Sequence, residues 1–162
     1  MPMTDIDHIA EIALQWHQVG RQVALATVME TWGSAPRRAG SQLVVAGDGQ
    51  MMGSVSGGCV EGAVIEEALA AIVSGQSRVL TFGVSDEDAF AVGLACGGTI
   101  RVMVEPVGGS LAVGDLEAIT EARARRRPLA VRALPAGHRP ELVREPARRL
   151  VSAASPRLRL DP

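Results

Sequence analysis

The chain alternates between stretches of helical and of strand periodicity, and glycines punctuate the changes. From Thr4, with Asp7 at the reach-back position of a capping box, the apolar residues Ile6, Ile9, Ala10, Ala13 and Trp16 recur at helical spacing until Gly20. This predicts a packing helix. Gln22 to Glu30 is β-branched and apolar and predicts a strand, followed by a loop over 31–40 that is rich in turn residues. Ser41 to Ala46 and Gln50 to Val55 flank Gly47-Asp48-Gly49, a hairpin signal. A second helix follows Ser56-Gly57-Gly58, with Val60, Ala63, Val64, Ala68, Ala71 and Ile72 on one face and Gly75 as its stop. Arg78 to Val84 reads as a strand. Ser85 to Asp88 reads as a cap, Ala89 to Leu94 as a short helix, and Thr99 to Glu105 as a further strand ended by Pro106. Beyond Gly108-Gly109 the pattern predicts a helix over 115–127 and a strand over 128–134. Residues 135–162 combine five prolines with many arginines, which suits an irregular tail.

Intermixed helices and strands favour an α/β or α+β fold, a single domain with a mixed β-sheet flanked by helices and an irregular basic C-terminal tail. The boundaries are a principal domain over 1–109, a helix-strand extension over 110–134 and the Arg/Pro-rich tail over 135–162. At 162 residues and 47% hydrophobic the chain is long and apolar enough to bury a core. Charge divides it again. Residues 1–122 carry five arginines against fifteen acids, whereas 123–162 carry eleven against three. All sixteen basic residues are arginine, which excludes lysine Schiff-base chemistry and a Walker-type lysine. With 2% aromatic residues the chain is a poor base-stacking binder, so nucleic acid is not an expected partner. The start lacks a signal-peptide pattern and no long apolar run follows, which gives the expectation of a cytoplasmic protein that does not engage membrane.

The chemistry concentrates in small-residue turns. Gly53-Ser54-Val55-Ser56-Gly57-Gly58-Cys59-Val60-Glu61-Gly62 reads as strand end, turn and helix start, where unpaired N–H groups and the helix dipole favour an anion. A thiol at Cys59 would ionise more readily there and serve as nucleophile or metal ligand; equally, the glycines make a tight turn and Cys59 is a small buried residue. Leu94-Ala95-Cys96-Gly97-Gly98 repeats the theme, so two cysteines delivered by loops to one pocket would bind a soft metal or handle sulfur. The other reading is two unrelated buried thiols. Arg37 and Arg38 suit phosphate but are by default a solvated pair. The acids Asp86 to Asp88 are explained by capping, Gly47-x-Gly49-x-x-x-Gly53 misses the dinucleotide spacing, and Ser56 lacks a nucleophile-elbow context. Two cysteines without CxxC and three scattered histidines argue against zinc and against a disulfide scaffold.

Three ordered blocks, Glu30 to Arg38, Gly53 to Glu61 and Gly93 to Gly98, resemble the XdhC/CoxI family, and the resemblance extends from about Ala24 to Pro106. It implies a non-enzymatic accessory factor for molybdenum hydroxylases of the xanthine dehydrogenase and carbon monoxide dehydrogenase type. Such a factor binds molybdenum cofactor as cargo, in a molybdopterin or dinucleotide form, supports its sulfuration with a cysteine desulfurase, and hands it to the apo-enzyme. On this reading the cargo would be held by Arg37, Arg38, Ser54, Ser56, Gly57, Gly58, Cys59, Cys96, Gly97 and Gly98, with Cys59 and Cys96 contacting molybdenum or a transferred sulfur. Long members of the family add a Rossmann-like domain; here no nucleotide fingerprint follows Pro106, so a separate Rossmann-domain member is an expected partner, alongside self-association into a homo-oligomer. Two other functions fit the residues: a thiol-dependent sulfurtransferase or oxidoreductase using Cys59 and Cys96, and an interaction module whose basic tail recruits an acidic partner beside a vestigial pocket.

Overall fold

The computed structural model describes residues 8–35, 37–83, 97–127, 129–132 and 141–143. The elements are α1 (Ile9–Gln18), β1 (Val23–Trp32), β2 (Gln42–Ala46), β3 (Met51–Gly53), α2 (Glu61–Ser74), β4 (Arg78–Phe82), β5 (Thr99–Pro106), α3 (Val113–Ala124), β6 (Ala130–Arg132) and β7 (Glu141–Val143). The described strands build a five-stranded sheet of order β3-β2-β1-β5-β4, and β6 pairs with β7 apart from it. This is one domain of mixed helix and strand, as the periodicity predicts. Every pair of described strands is antiparallel, which places the fold on the α+β side of that expectation. The reason is local: a short glycine turn joins β2 to β3, and no described helix links neighbouring strands in the right-handed crossover that a parallel pair requires.

The strand period of two assigns the layers. Ala24, Ala26 and Val28 of β1 share one face with Leu43, Val45, Ile100, Val102 and Val104, and Val64, Ala68 and Ala71 of α2 cover it. Val23, Leu25 and Val44 point the other way, onto Ile9, Ala10 and Ala13 of α1 and Leu116 of α3. Helices on both faces explain why β1 opens as a continuous buried run and not as an alternation.

The glycine punctuation falls where the pattern puts it. Gly20 follows α1 at φ 87° and donates to the His17 carbonyl, while Gly75 ends α2 in the left-handed region. Other boundaries move. β1 continues through Thr31 and Trp32 because their backbone pairs with Ile100 and Thr99, past an irregularity between Val28 and Glu30, so the loop starts two residues later than expected. α2 begins at Glu61, after Cys59 and not with it. Strand β7 lies inside the stretch expected to be irregular. The Thr4 and Asp7 cap, the short helix over 89–94 and most of the tail lie outside the described residues.

Candidate functional site

Three connections leave the same end of the sheet. Loop 33–41 follows β1, loop 54–60 follows β3, and 83–98 joins β4 to β5; the registers Trp32↔Thr99, Phe82↔Ile100 and Leu43↔Gly53 fix their origins on adjacent strand ends. Two of them touch. A Cβ on Gly98 would stand 2.8 Å from the Ala35 nitrogen and 3.0 Å from the Trp32 carbonyl, so only glycine admits this approach. Gly53 is equally constrained, at φ 93° with a Cβ position 2.3 Å from the Gln42 carbonyl.

Loop 54–60 is organised by a residue outside the candidate set. Glu61, at the first position of α2 and 6% exposed, turns its carboxylate back into the loop. Oε1 accepts from Ser54 Oγ at 2.7 Å, Val55 N at 3.1 Å and Ser56 N at 3.0 Å; Oε2 accepts from Ser56 Oγ at 2.5 Å and Gly58 N at 2.9 Å. Burial alone would raise its pKa, but these donors outweigh desolvation and hold it at about 2. The serines complete the knot, Ser54 Oγ accepting from Gly57 N and Ser56 Oγ from Val60 N. The backbone donors expected to cradle an external anion are therefore occupied by the protein's own carboxylate. The signal was in the sequence, an acid in the first turn behind a Ser/Gly loop, but its hydrogen-bond partners are set by the fold.

Cys59 is an exposed free thiol, which removes the buried-packing reading. Cys96 lies outside the described residues, so the expected pairing of the two thiols is not tested, while Gly97 and Gly98 sit at the start of β5 beside loop 33–35. Among the described residues no three His, Cys, Asp or Glu side chains cluster as metal ligands. Arg37 and Ser54 line a common cleft of about 310 Å³ with Gly40, Ser41, Gln42 and Arg123, and Arg38 is exposed outside its lining. Trp32, 49% exposed, ends β1 at the same rim. Neither Gln42 nor Arg123 was legible as a site residue, since each arrives from an element distant in sequence.

At the opposite end of the sheet a second cleft of about 310 Å³ is lined by His17, Arg21, Gly75, Gly108 and Gly109 among others. Arg21 stacks over Trp16 at 4.3 Å and is tied to Asp48 at 3.0 Å. On the α1 and α3 face, Glu105 is 8% exposed, and desolvation, with the Asp115 charge beside it, pushes its carboxyl up to about 7. Among the described residues no helix is long and apolar enough to cross a membrane.

Against known proteins, the model of the XdhC and CoxI family matches residues 16–83, which include the first two of the three blocks and bear out the resemblance there. The molybdenum cofactor insertion chaperone PaoD of Escherichia coli (strain K12) is 40% identical over 102 residues, covering 62% of this chain and 31% of that protein. A protein of Bacillus subtilis (strain 168) described as a probable xanthine dehydrogenase component is 32% identical over 88 residues, covering 53% and 27%. A crystal structure of a xanthine dehydrogenase from Bacillus halodurans superposes with a TM-score of 0.58 at 25% identity, over 72% of this chain and 35% of that one. The chain thus spans about a third or less of the length of these relatives.

Proposed function

We propose, for a chain whose residues 16–83 belong to the XdhC and CoxI family, a role as a cofactor-binding accessory protein: it takes up molybdenum cofactor, supports its sulfuration by a cysteine desulfurase, and passes it to an apo molybdenum hydroxylase of the xanthine dehydrogenase or carbon monoxide dehydrogenase type. The observation that carries this reading is the convergence of the glycine loops on one sheet end, with the exposed Cys59 thiol on one loop and Arg37 on another. A soft thiol suits molybdenum or a sulfur in transit, a guanidinium suits a phosphate, and the flat exposed face of Trp32 suits a planar heterocycle. The similarity to an insertion chaperone supports the same direction.

The test is anaerobic incubation of the purified chain with molybdenum cofactor, gel filtration and metal analysis of the protein peak. The parent is expected to co-elute with molybdenum and Cys59→Ser to retain less; a parent peak free of molybdenum overturns the reading. The exposure of Cys59 favours one second reading, a thiol-dependent sulfurtransferase, which multiple turnovers by the parent would establish in place of stoichiometric capture.

A further inference from the structure

We propose that Glu105, buried beneath α3 without a hydrogen-bond partner, and Asp115, in the first turn of α3, form a proton-operated latch: a proton on the pair keeps the N-terminal half of α3 on the sheet, and its loss lets that half lift. The inference goes beyond the cargo reading and does not depend on it. Glu105 is 8% exposed on β5 and lies opposite Leu25 in the register with β1. Directly opposed residues of an antiparallel pair share a face, and Leu25 belongs to one apolar cluster with Leu116, the residue after Asp115. Register and cluster thus bring both carboxyls to the same layer. The contrast with Glu61 is chemical: five donors meet that buried carboxylate, whereas among the described residues no donor meets Glu105. Desolvation and the Asp115 charge are what act on it, and both favour its neutral form.

The helix above is lightly held. Leu116 is the one buried residue of α3, against four in α2, and its N-cap Ala112 supplies no side-chain cap. A Cβ on Gly114, in the first turn, would meet nothing within 4 Å. The other end is tied to α1 through Arg123 and Glu11 at 3.3 Å, so the N-terminal half is the part with least to keep it down. Few packed residues and an uncapped end are the features of a segment that opens locally. Ionised in place, Glu105 would have neither water nor a donor and would face Asp115; lifting the helix gives it water. The other titratable groups on the surrounding elements are accounted for. On α1, Glu11 is engaged by Arg123 and lies 3.8 Å from His8 Nδ1, and the His17 ring stands 3.3 Å from the Cβ position of Gly108. On α3, Glu117 and Glu121 are exposed. In β1 the first titratable residue is Glu30, paired with Arg101 of β5 near the far end of the sheet, and β2 has none.

The experiment is amide hydrogen exchange of the full chain across pH, corrected for the intrinsic rate and read at α3 and at the central strand β1, with and without low urea. The Glu105 carboxyl sits at about 7 in the closed form against 4.5 when hydrated. Protection of the α3 amides is therefore expected to fall about tenfold per pH unit between those values, about 300-fold in all, and to level off above about 7. Global unfolding hydrates the same carboxyl, and urea separates the two: local opening exposes little surface, so α3 exchange should be insensitive to urea where β1 exchange is not. Glu105→Gln should abolish the pH dependence at α3, and His17→Gln should keep it. Asp115→Asn, at a half-buried position, should shorten the span by removing the repulsion. Protection of α3 that does not change with pH would overturn the latch, as would α3 and β1 amides that share one urea dependence. A dependence that survives in Glu105→Gln, follows His17, or keeps its full span in Asp115→Asn would overturn it too.

Discussion

Replacing Glu61 by glutamine tests whether loop 54–60 is built around a buried negative charge. The substitution keeps shape and leaves one oxygen able to accept from Ser54, Val55 and Ser56, but it places an NH2 against the Gly58 N–H and removes the charge from all five contacts. Two routes give the cost. A carboxyl held at about 2 in the folded protein against 4.5 as its ordinary value corresponds to about 3 kcal/mol. One orphaned buried donor at about 1–3 kcal/mol, plus lost charge assistance, gives the same scale. The sign follows from the lowered pKa: the contribution is complete above about pH 4.5 and disappears as pH falls through about 2. Urea unfolding of parent and Glu61→Gln should therefore differ by about 3 kcal/mol at neutral pH and by about 1 kcal/mol near pH 3. Amide exchange at Val55, Ser56 and Gly58 should accelerate in the variant. A gap that does not change with pH, or a neutral-pH gap below about 0.5 kcal/mol, would refute the claim that ionised Glu61 organises the loop.

Glu105 should show the opposite pH dependence. Its folded pKa of about 7 lies above the ordinary 4.5, so the parent should lose stability as pH rises from about 4.5 through 7, by up to about 3 kcal/mol, and Glu105→Gln should flatten that slope in urea midpoints taken across the range. Gly98→Ala should cost about 1–3 kcal/mol in thermal or urea unfolding, because its Cβ meets backbone at Ala35 and Ser34, and should weaken cofactor retention by separating the loops. Gly62→Ala is the matched control: its Cβ meets nothing within 4 Å and its φ is ordinary, so stability should stay level or rise by about 0.5–1 kcal/mol from helix propensity.

The elements that sequence reads well are those whose signal is local. The Gly47-Asp48-Gly49 turn, the α2 face of Val64, Ala68 and Ala71, and the stops at Gly20 and Gly75 each depend on neighbours within a few residues, and all are present. The end of β1 depends on something remote. Glu30, Thr31 and Trp32 look like the start of a loop, yet β5, some seventy residues on, supplies their backbone partners. Sheet order is of the same kind: β1 pairs with β2 by proximity and with β5 by topology. Arg123 is a further case, since nothing in a run of arginines at a helix end reveals that one of them meets Glu11 and shares a cleft with Arg37.

Loop 54–60 shows why a phosphate cradle and a self-filled nest are difficult to tell apart in a sequence. Both need small residues, exposed N–H groups and a helix start, and here the Ser/Gly run supplies all three. What separates them is whether an acid stands where it can fold back. Glu61 does, and its carboxylate takes the N–H groups of Val55, Ser56 and Gly58 before any ligand arrives. An incoming anion would have to displace a carboxylate worth about 3 kcal/mol to the fold, which inorganic phosphate has no means to repay at those donors. On the proposed reading an anion at this end of the sheet would be held by side chains, while Gly98 serves the close approach of β5 to the loop that follows β1.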